Sequence, residues 1–194
     1  MQITHQLSDA ELIQAFTGGN EDALEPLIYR HKDKIYTAVY MLVKDKYTAE
    51  DIFQEAFLKI IKTMRDGKYA EQGKFLPWAI RVAHNLCMDH FRRTRKDIPV
   101  TLADGRDISD ILPLAVGSPA DNMERRQVNA GVRQLIERLP EDQREVIVLR
   151  MYADMSFKEI ADITSVSINT ALGRMRYGLI NLRKMIADHQ MVLR

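Results

Sequence analysis

Thiol chemistry is almost absent from this chain of 194 residues: Cys87 is its one cysteine. An internal disulfide is therefore excluded, and the chain suits a reducing compartment. Long apolar runs are missing too. No stretch approaches the roughly 18 apolar residues that read as a membrane span. The opening MQITHQLSDAELIQ has neither the basic start nor the apolar run of a signal peptide. A cytoplasmic protein is the expectation. Strand-like alternation is scarce, and no repeat or low-complexity tract occurs. Also missing are a Walker loop, a nucleophile elbow, a paired-cysteine site and a zinc-hydrolase helix. The chain is not expected to be an enzyme, and no cofactor is expected.

Net charge is the last shortage. At +1 it looks wrong for a nucleic-acid binder. Divided by segment, the picture changes. Residues 141–162 hold six acids and three bases, whereas 163–194 hold five bases and one acid. Residues 81–96 again hold five bases and one acid. Local potential decides phosphate binding more than the chain total does.

What is present is helical period. LSDAELIQAFTGGN has Ser8 as N-cap and Gly18-Gly19 as a stop. EDALEPLIYRHKDKIYTAVYMLVK places Leu24, Leu27, Ile28, Ile35, Val39 and Leu42 near one face. Its Pro26 requires a first-turn position. In TAEDIFQEAFLKIIKTM, Thr48 and Asp51 predict a capping box. Ile52, Phe53, Ala56, Phe57, Ile60, Ile61 and Met64 form its apolar stripe, with Glu50, Asp51, Gln54 and Glu55 largely off it. LPWAIRVAHNLCMDHFRRTRK is a further helix with Pro77 at its start. Composition then changes: from Thr94 to about Ala120 come three prolines, two glycines and several aspartates without a sustained period. This segment reads as a linker. Helices resume from Asn122. The expected fold is all-α: two small helical domains, 1–94 and 121–194, joined by a flexible linker over 95–120.

Two stretches carry function. SFKEIADIT, a tight SVS turn, and SINTALGRMRYGLINLRK have the lengths of a helix-turn-helix, with Ser167 capping the second helix. Such a helix meets the major groove with its N-terminal residues: here Ile168, Asn169, Thr170, Leu172, Gly173, Arg174, Arg176 and Tyr177. Asn can pair with adenine, Arg with guanine, and Thr or Leu can touch a thymine methyl. Ala171, Met175, Leu179 and Leu182 suit the inner face. An ordinary helical hairpin with a basic solvated face gives the same pattern, so the charge step into the second helix is the stronger sign. The second stretch sets Tyr69, Phe75 and Trp78 beside Lys68, Lys74, Arg81, Arg92 and Arg93. Rings and cations interleaved in this way suit unstacked bases. Phe75 and Trp78 also suit a core, whereas Tyr69, in a glycine-bordered loop, is the better placed to meet a base. His84, Cys87 and His90 have ligand chemistry but no fourth ligand and no zinc-like spacing. His84 and Cys87 read as packing residues, and no metal is expected.

In order, LSDAELIQAFTGGNEDALEPLIYRHKDKIY, AEDIFQEAFLKIIK, GKFLPWAIRVAHNLCMDHFRR and LPEDQREVIVLRMYADMSFKEIADITSVSINTALGRMRYGL resemble the bacterial RNA polymerase sigma factors of the extracytoplasmic-function group. The resemblance implies a region-two domain, a linker and a region-four domain. It implies that Asp51, Gln54, Glu55 and Phe57 meet the clamp helices of the polymerase's largest subunit, with the flap of the second subunit as a further contact. It places Tyr69 at the pocket for a flipped-out −10 base, with Asn85 contacting that base, and it places Lys74, Trp78, Arg81, Arg92 and Arg93 in the element that melts and reads −10 DNA. Positions from Asn169 to Tyr177 then read the −35 duplex. Many members carry a basic residue at the position of Leu172 and an arginine at that of Tyr177, whereas the arginines here are Arg174 and Arg176, which leaves the promoter sequence open but not the function. An anti-sigma factor is an implied partner, beside core RNA polymerase and promoter DNA. A stand-alone helix-turn-helix regulator is the alternative. It would usually dimerise, and no heptad seam is present for that. A protein-binding adaptor with incidental basic faces is the third reading.

Overall fold

A computed structural model describes residues 7–70, 73–97 and 131–188. Among these residues every regular element is helical. The expected linker lies outside them apart from the end of a helix that runs to Asp97, as do the first ten residues of the second expected domain.

α1 (Asp9–Thr17) begins at Ser8, whose side chain accepts from the Glu11 N–H while Glu11 reaches back, and Gly18 closes it. A single 3-10 turn (Glu21–Ala23), capped by Asn20, leads into α2 (Leu24–Val43). Pro26 therefore sits in the first turn, where its missing N–H costs little. Lys44, at φ 57°, ends α2 in the left-handed conformation.

α3 (Lys46–Arg65) starts three residues before the expected place. Asp45, not Thr48, is the N-cap: its carboxylate accepts from the Thr48 N–H at 2.8 Å. Aspartate is at least as good a cap as threonine, and it gains from the partial positive charge of the helix start. The bond holds the Asp45 carboxyl below the usual range. The expected stripe of α3 does form the inner face, with Ile52, Ala56, Phe57, Ile60 and Met64 buried and Phe53 and Ile61 packed against them.

α4 (Phe75–Asp97) completes a bundle in which α2 touches α1, α3 and α4. This central position explains why α2 is buried on more than one face. Beyond the expected Leu27, Ile35, Val39 and Leu42, it also buries His31, Thr37, Ala38 and Met41. His31 is held by Asp9 at 2.7 Å, and Arg30 takes the other oxygen of the same carboxylate at 2.5 Å. That pair staples α1 to α2.

Cys87 lies fully buried on α4, and burial pushes its thiol up to about 12. Thiolate is the reactive species. Native protein at neutral pH should therefore resist Ellman's reagent and react only as the bundle opens in denaturant. Rapid labelling of the native protein would show that the bundle opens readily around α4. A raised folded-state value also means that stability falls as pH rises from the ordinary thiol value toward 12.

The second half holds a helical segment over 131–137, called α5, then α6 (Glu141–Met151), α7 (Phe157–Thr164) and α8 (Ile168–Asp188). α7 opens on a Ser156–Glu159 capping box and ends at Ser165 in the left-handed conformation. Ser167 accepts from the Thr170 N–H at 3.0 Å and caps α8. α8 lies across α6 and α7, and α6 also packs on α2, so the two halves share a seam.

Candidate polymerase and nucleic-acid interfaces

Three surfaces hold the expected site residues. On α3, Asp51, Gln54 and Glu55 are exposed along the side away from the core. Phe57 is buried, edge-on to Phe53 at 4.8 Å, so it braces the helix from beneath. Leu58 is a residue that sequence reasoning passed over. It is 70% exposed, one helical turn from Gln54 and Glu55. Its signal was legible: it is an apolar residue outside the apolar stripe. Asp51 and Glu55 also line a groove of about 160 Å³ with Asp89, His90 and Arg93 of α4.

α4 carries the second surface. Lys74, Trp78, Arg81, Asn85 and Arg92 recur at helical spacing, so they fall on one side of α4. All are exposed except Trp78, which is half-buried; Arg93 is exposed nearby, beside the groove. Arg92 pairs with Asp89 at 3.0 Å. At the start of the stripe, Tyr69 leans on Trp78 with ring centroids 4.2 Å apart, and Phe75 lies beneath both. His84 is buried at the edge of the stripe, its Nε2 2.8 Å from a Glu145 oxygen. His90 instead lines the groove beside α3, so His84, Cys87 and His90 do not converge.

The third surface is α8. Asn169, Thr170, Leu172, Arg176 and Tyr177 are exposed on its N-terminal half, with Gly173 half-exposed among them. Arg174 lies on the flank facing α6: its side chain is 25% exposed, 3.3 Å from Asp142. The inner face differs from expectation at one position. Ala171, Met175 and Leu182 turn inward as expected, but Leu179 is exposed and Gly178 is buried in its place. α8 approaches α6 so closely there that a Cβ on Gly178 would lie 2.7 Å from Ile147 Cδ1.

These surfaces define an all-helical, two-part nucleic-acid-binding protein with a helix-turn-helix at one end. Residues 27–97 match the family Sigma-70 region 2, and residues 130–172 match Sigma-70, region 4. Among curated relatives, the ECF RNA polymerase sigma factor SigW of Bacillus subtilis is 29% identical over 174 residues, covering 88% of this chain and 92% of that protein. The RNA polymerase sigma-H factor of Pseudomonas aeruginosa is also 29% identical, over 88% of this chain and 89% of that protein. Among solved structures, the sigma factor RpoE in complex with the anti-sigma factor NepR from Bartonella quintana has a TM-score of 0.64 at 16% identity, covering 88% of this chain and 98% of that one. CnrH in complex with the cytosolic domain of CnrY has a TM-score of 0.59 at 20% identity, covering 93% of this chain and 97% of that one. The chain belongs to the sigma-70 family, in its extracytoplasmic-function group. No helix among the described residues is long and apolar enough to cross a membrane.

Proposed function

We propose that this chain acts in the cytoplasm as a promoter-specificity subunit of bacterial RNA polymerase. The observation that carries the reading is the presence, in one chain and in order, of a region-two bundle and a region-four helix-turn-helix. In this reading residues 1–94 dock on core polymerase and open the −10 element, 95–120 link, and 121–194 read the −35 duplex. The exposed Asp51, Gln54 and Glu55 meet the clamp helices of the largest subunit, with Leu58 as an apolar anchor among them and Phe57 holding the helix in place. The flap of the second subunit is the expected partner of the C-terminal half. Tyr69 and Trp78 offer rings to an unstacked −10 base, worth about 1–3 kcal/mol per base stacked. Lys74, Arg81, Arg92 and Arg93 supply cations for the strand, and Asn85 supplies a polar edge. On α8 the outward residues Asn169, Thr170, Leu172, Gly173, Arg176 and Tyr177 enter the major groove, while Arg174 reaches the backbone from the flank. An anti-sigma factor is the expected antagonist, as in the solved relative held by NepR.

The test is gel filtration with core polymerase, followed by run-off transcription on a fragmented genomic library. Co-elution with new transcripts is the expected result, and the transcripts define the promoter. Arg176→Ala should then weaken −35 recognition by about 1–3 kcal/mol if it pairs with a guanine. Arg174→Ala should cost less, because Asp142 already holds that guanidinium. No co-elution of folded protein would instead support the stand-alone regulator.

A further inference from the structure

Two glycines stand inside α8, at 173 and 178. Glycine is a poor helix former, because its backbone loses the most freedom on ordering. Inside a helix it has three ordinary causes: a left-handed φ, a close neighbour within the protein, or a ligand that approaches the backbone. At Gly178 the neighbour is Ile147, which a Cβ would meet at 2.7 Å. At Gly173 the first two causes fail. Left-handed φ occurs at Gly19, Gly67 and Gly73, not at Gly173. Beyond its own helix backbone, a Cβ at 173 would meet nothing within 4 Å. The fold has no use for this glycine and gives up stability to keep it.

Its surroundings point to the third cause. Neighbours on a helix surface stand three and four residues away. For Gly173 these are Asn169, Thr170, Arg176 and Tyr177, and all four are exposed. Gly173 is therefore a bare notch framed by four side chains of the proposed −35 reading face. An α-helix with its side chains is about 10–12 Å across, and the major groove is about 12 Å wide. The fit is close, so one missing side chain on the leading face lets the backbone descend toward the base edges. Phosphates make no such demand, since they line the rim of the groove and long cations reach them.

We propose that Gly173 is a specificity-determining position: its notch seats the edge of one −35 base pair against the backbone of α8, and a side chain there holds the helix away from that edge. The proposal rests on the sigma reading for the identity of the duplex. Fold and function then oppose each other at this residue. A side chain at 173 improves the free protein and harms promoter recognition.

The test uses Gly173→Ala and Gly173→Leu, since both residues are better helix formers than glycine. Thermal unfolding of the free variants, followed by circular dichroism, should show midpoints above that of the parent, by about 2–6 °C for alanine. Holoenzyme is then assembled from core polymerase and each protein. Its binding is measured to a promoter defined by run-off transcription, and to the same promoter with a scrambled −35 element. Gly173→Ala should bind the intact promoter roughly tenfold more weakly than the parent, the scale of one mismatched base pair, and Gly173→Leu more weakly still. On the scrambled promoter both variants should match the parent. Unchanged binding to the intact promoter overturns the proposal, because the glycine would then be freely replaceable. An equal loss on both promoters also overturns it, because the crowded group would then be the phosphate backbone. Variants that melt below the parent overturn its premise that the fold leaves room at 173. A parent that yields no transcript with core polymerase overturns the sigma reading together with this proposal, whereas an active parent with indifferent variants overturns this proposal alone.

Discussion

Asp51→Arg combined with Glu55→Arg abolishes co-elution with core RNA polymerase and leaves the protein folded. Both side chains are exposed on α3, one turn apart beside the groove shared with α4. Exposed substitutions of this kind usually change stability by no more than about 0.5 kcal/mol. At an interface the same change is severe. Two carboxylates that complement a basic partner become two like charges against it, and such juxtapositions cost several kcal/mol. A loss of affinity of at least about a hundredfold is expected, since 1.4 kcal/mol is a factor of ten. The measurement is gel filtration of variant and parent with polymerase, with circular dichroism as the check on folding. Co-elution undiminished in the folded variant would remove α3 from the interface. Leu58→Ala should give a smaller loss in the same assay, since it removes an apolar anchor without adding repulsion.

Gly178→Val should have the largest effect on stability. Glycine inside a helix costs roughly 1 kcal/mol relative to alanine, so its place in the middle of α8 requires a compensating contact. That contact is the crossing with α6. A Cβ at 178 would stand 2.7 Å from Ile147 Cδ1 and 3.4 Å from Gln143 Cβ. Ile147 is itself 1% exposed and has little room to move. Valine adds two more methyl groups where even one already requires the Ile147 side chain to shift. Overpacking of this kind costs about 1–3 kcal/mol, and in the small second half that is a large share of the total. Thermal unfolding followed by circular dichroism should show the loss as a lower midpoint. The damage should also reach the proposed DNA-reading face, because Asn181 bonds Gln143 and Arg174 pairs with Asp142 across the same crossing. A Gly178→Val protein as stable as the parent would mean that α8 can slide on α6 without cost.

The origin of glycine at 178 was not legible in the sequence. Helical period places residues 175, 178, 179 and 182 within reach of one side, and leucine is the natural choice for an inner position. The chain does the opposite, burying the glycine and exposing Leu179. Only the distance between α6 and α8 decides that. The same holds for α2. Its apolar period identified one face, yet it also buries His31, Thr37, Ala38 and Met41, because α1, α3, α4 and α6 surround it. The start of α3 shows a smaller failure of the same kind: Thr48 and Asp45 both suit a cap, and the backbone chose the earlier one.

Taken alone, the sequence determined what depends on neighbours three or four residues apart. It determined the helical class, the caps at Ser8 and Ser167, the stripe of α3 with its acidic back, and the charge step into α8. It also placed Lys74, Trp78, Arg81, Asn85 and Arg92 at helical spacing, which alone aligns them on one side of α4. These features arise because a side chain's neighbours on a helix are set by 3.6 residues per turn. Tertiary structure decided what depends on residues far apart in the chain. Lys74 meets Glu159 across 85 positions, and His84 meets Glu145 across 61. No local pattern encodes such a pairing: each residue alone reads as a surface charge or a packing histidine. The meeting arises when two helical units, each with its own period satisfied, settle against each other along α2 and α6, and the packing of that seam selects which carboxylates stand beside Lys74 and His84.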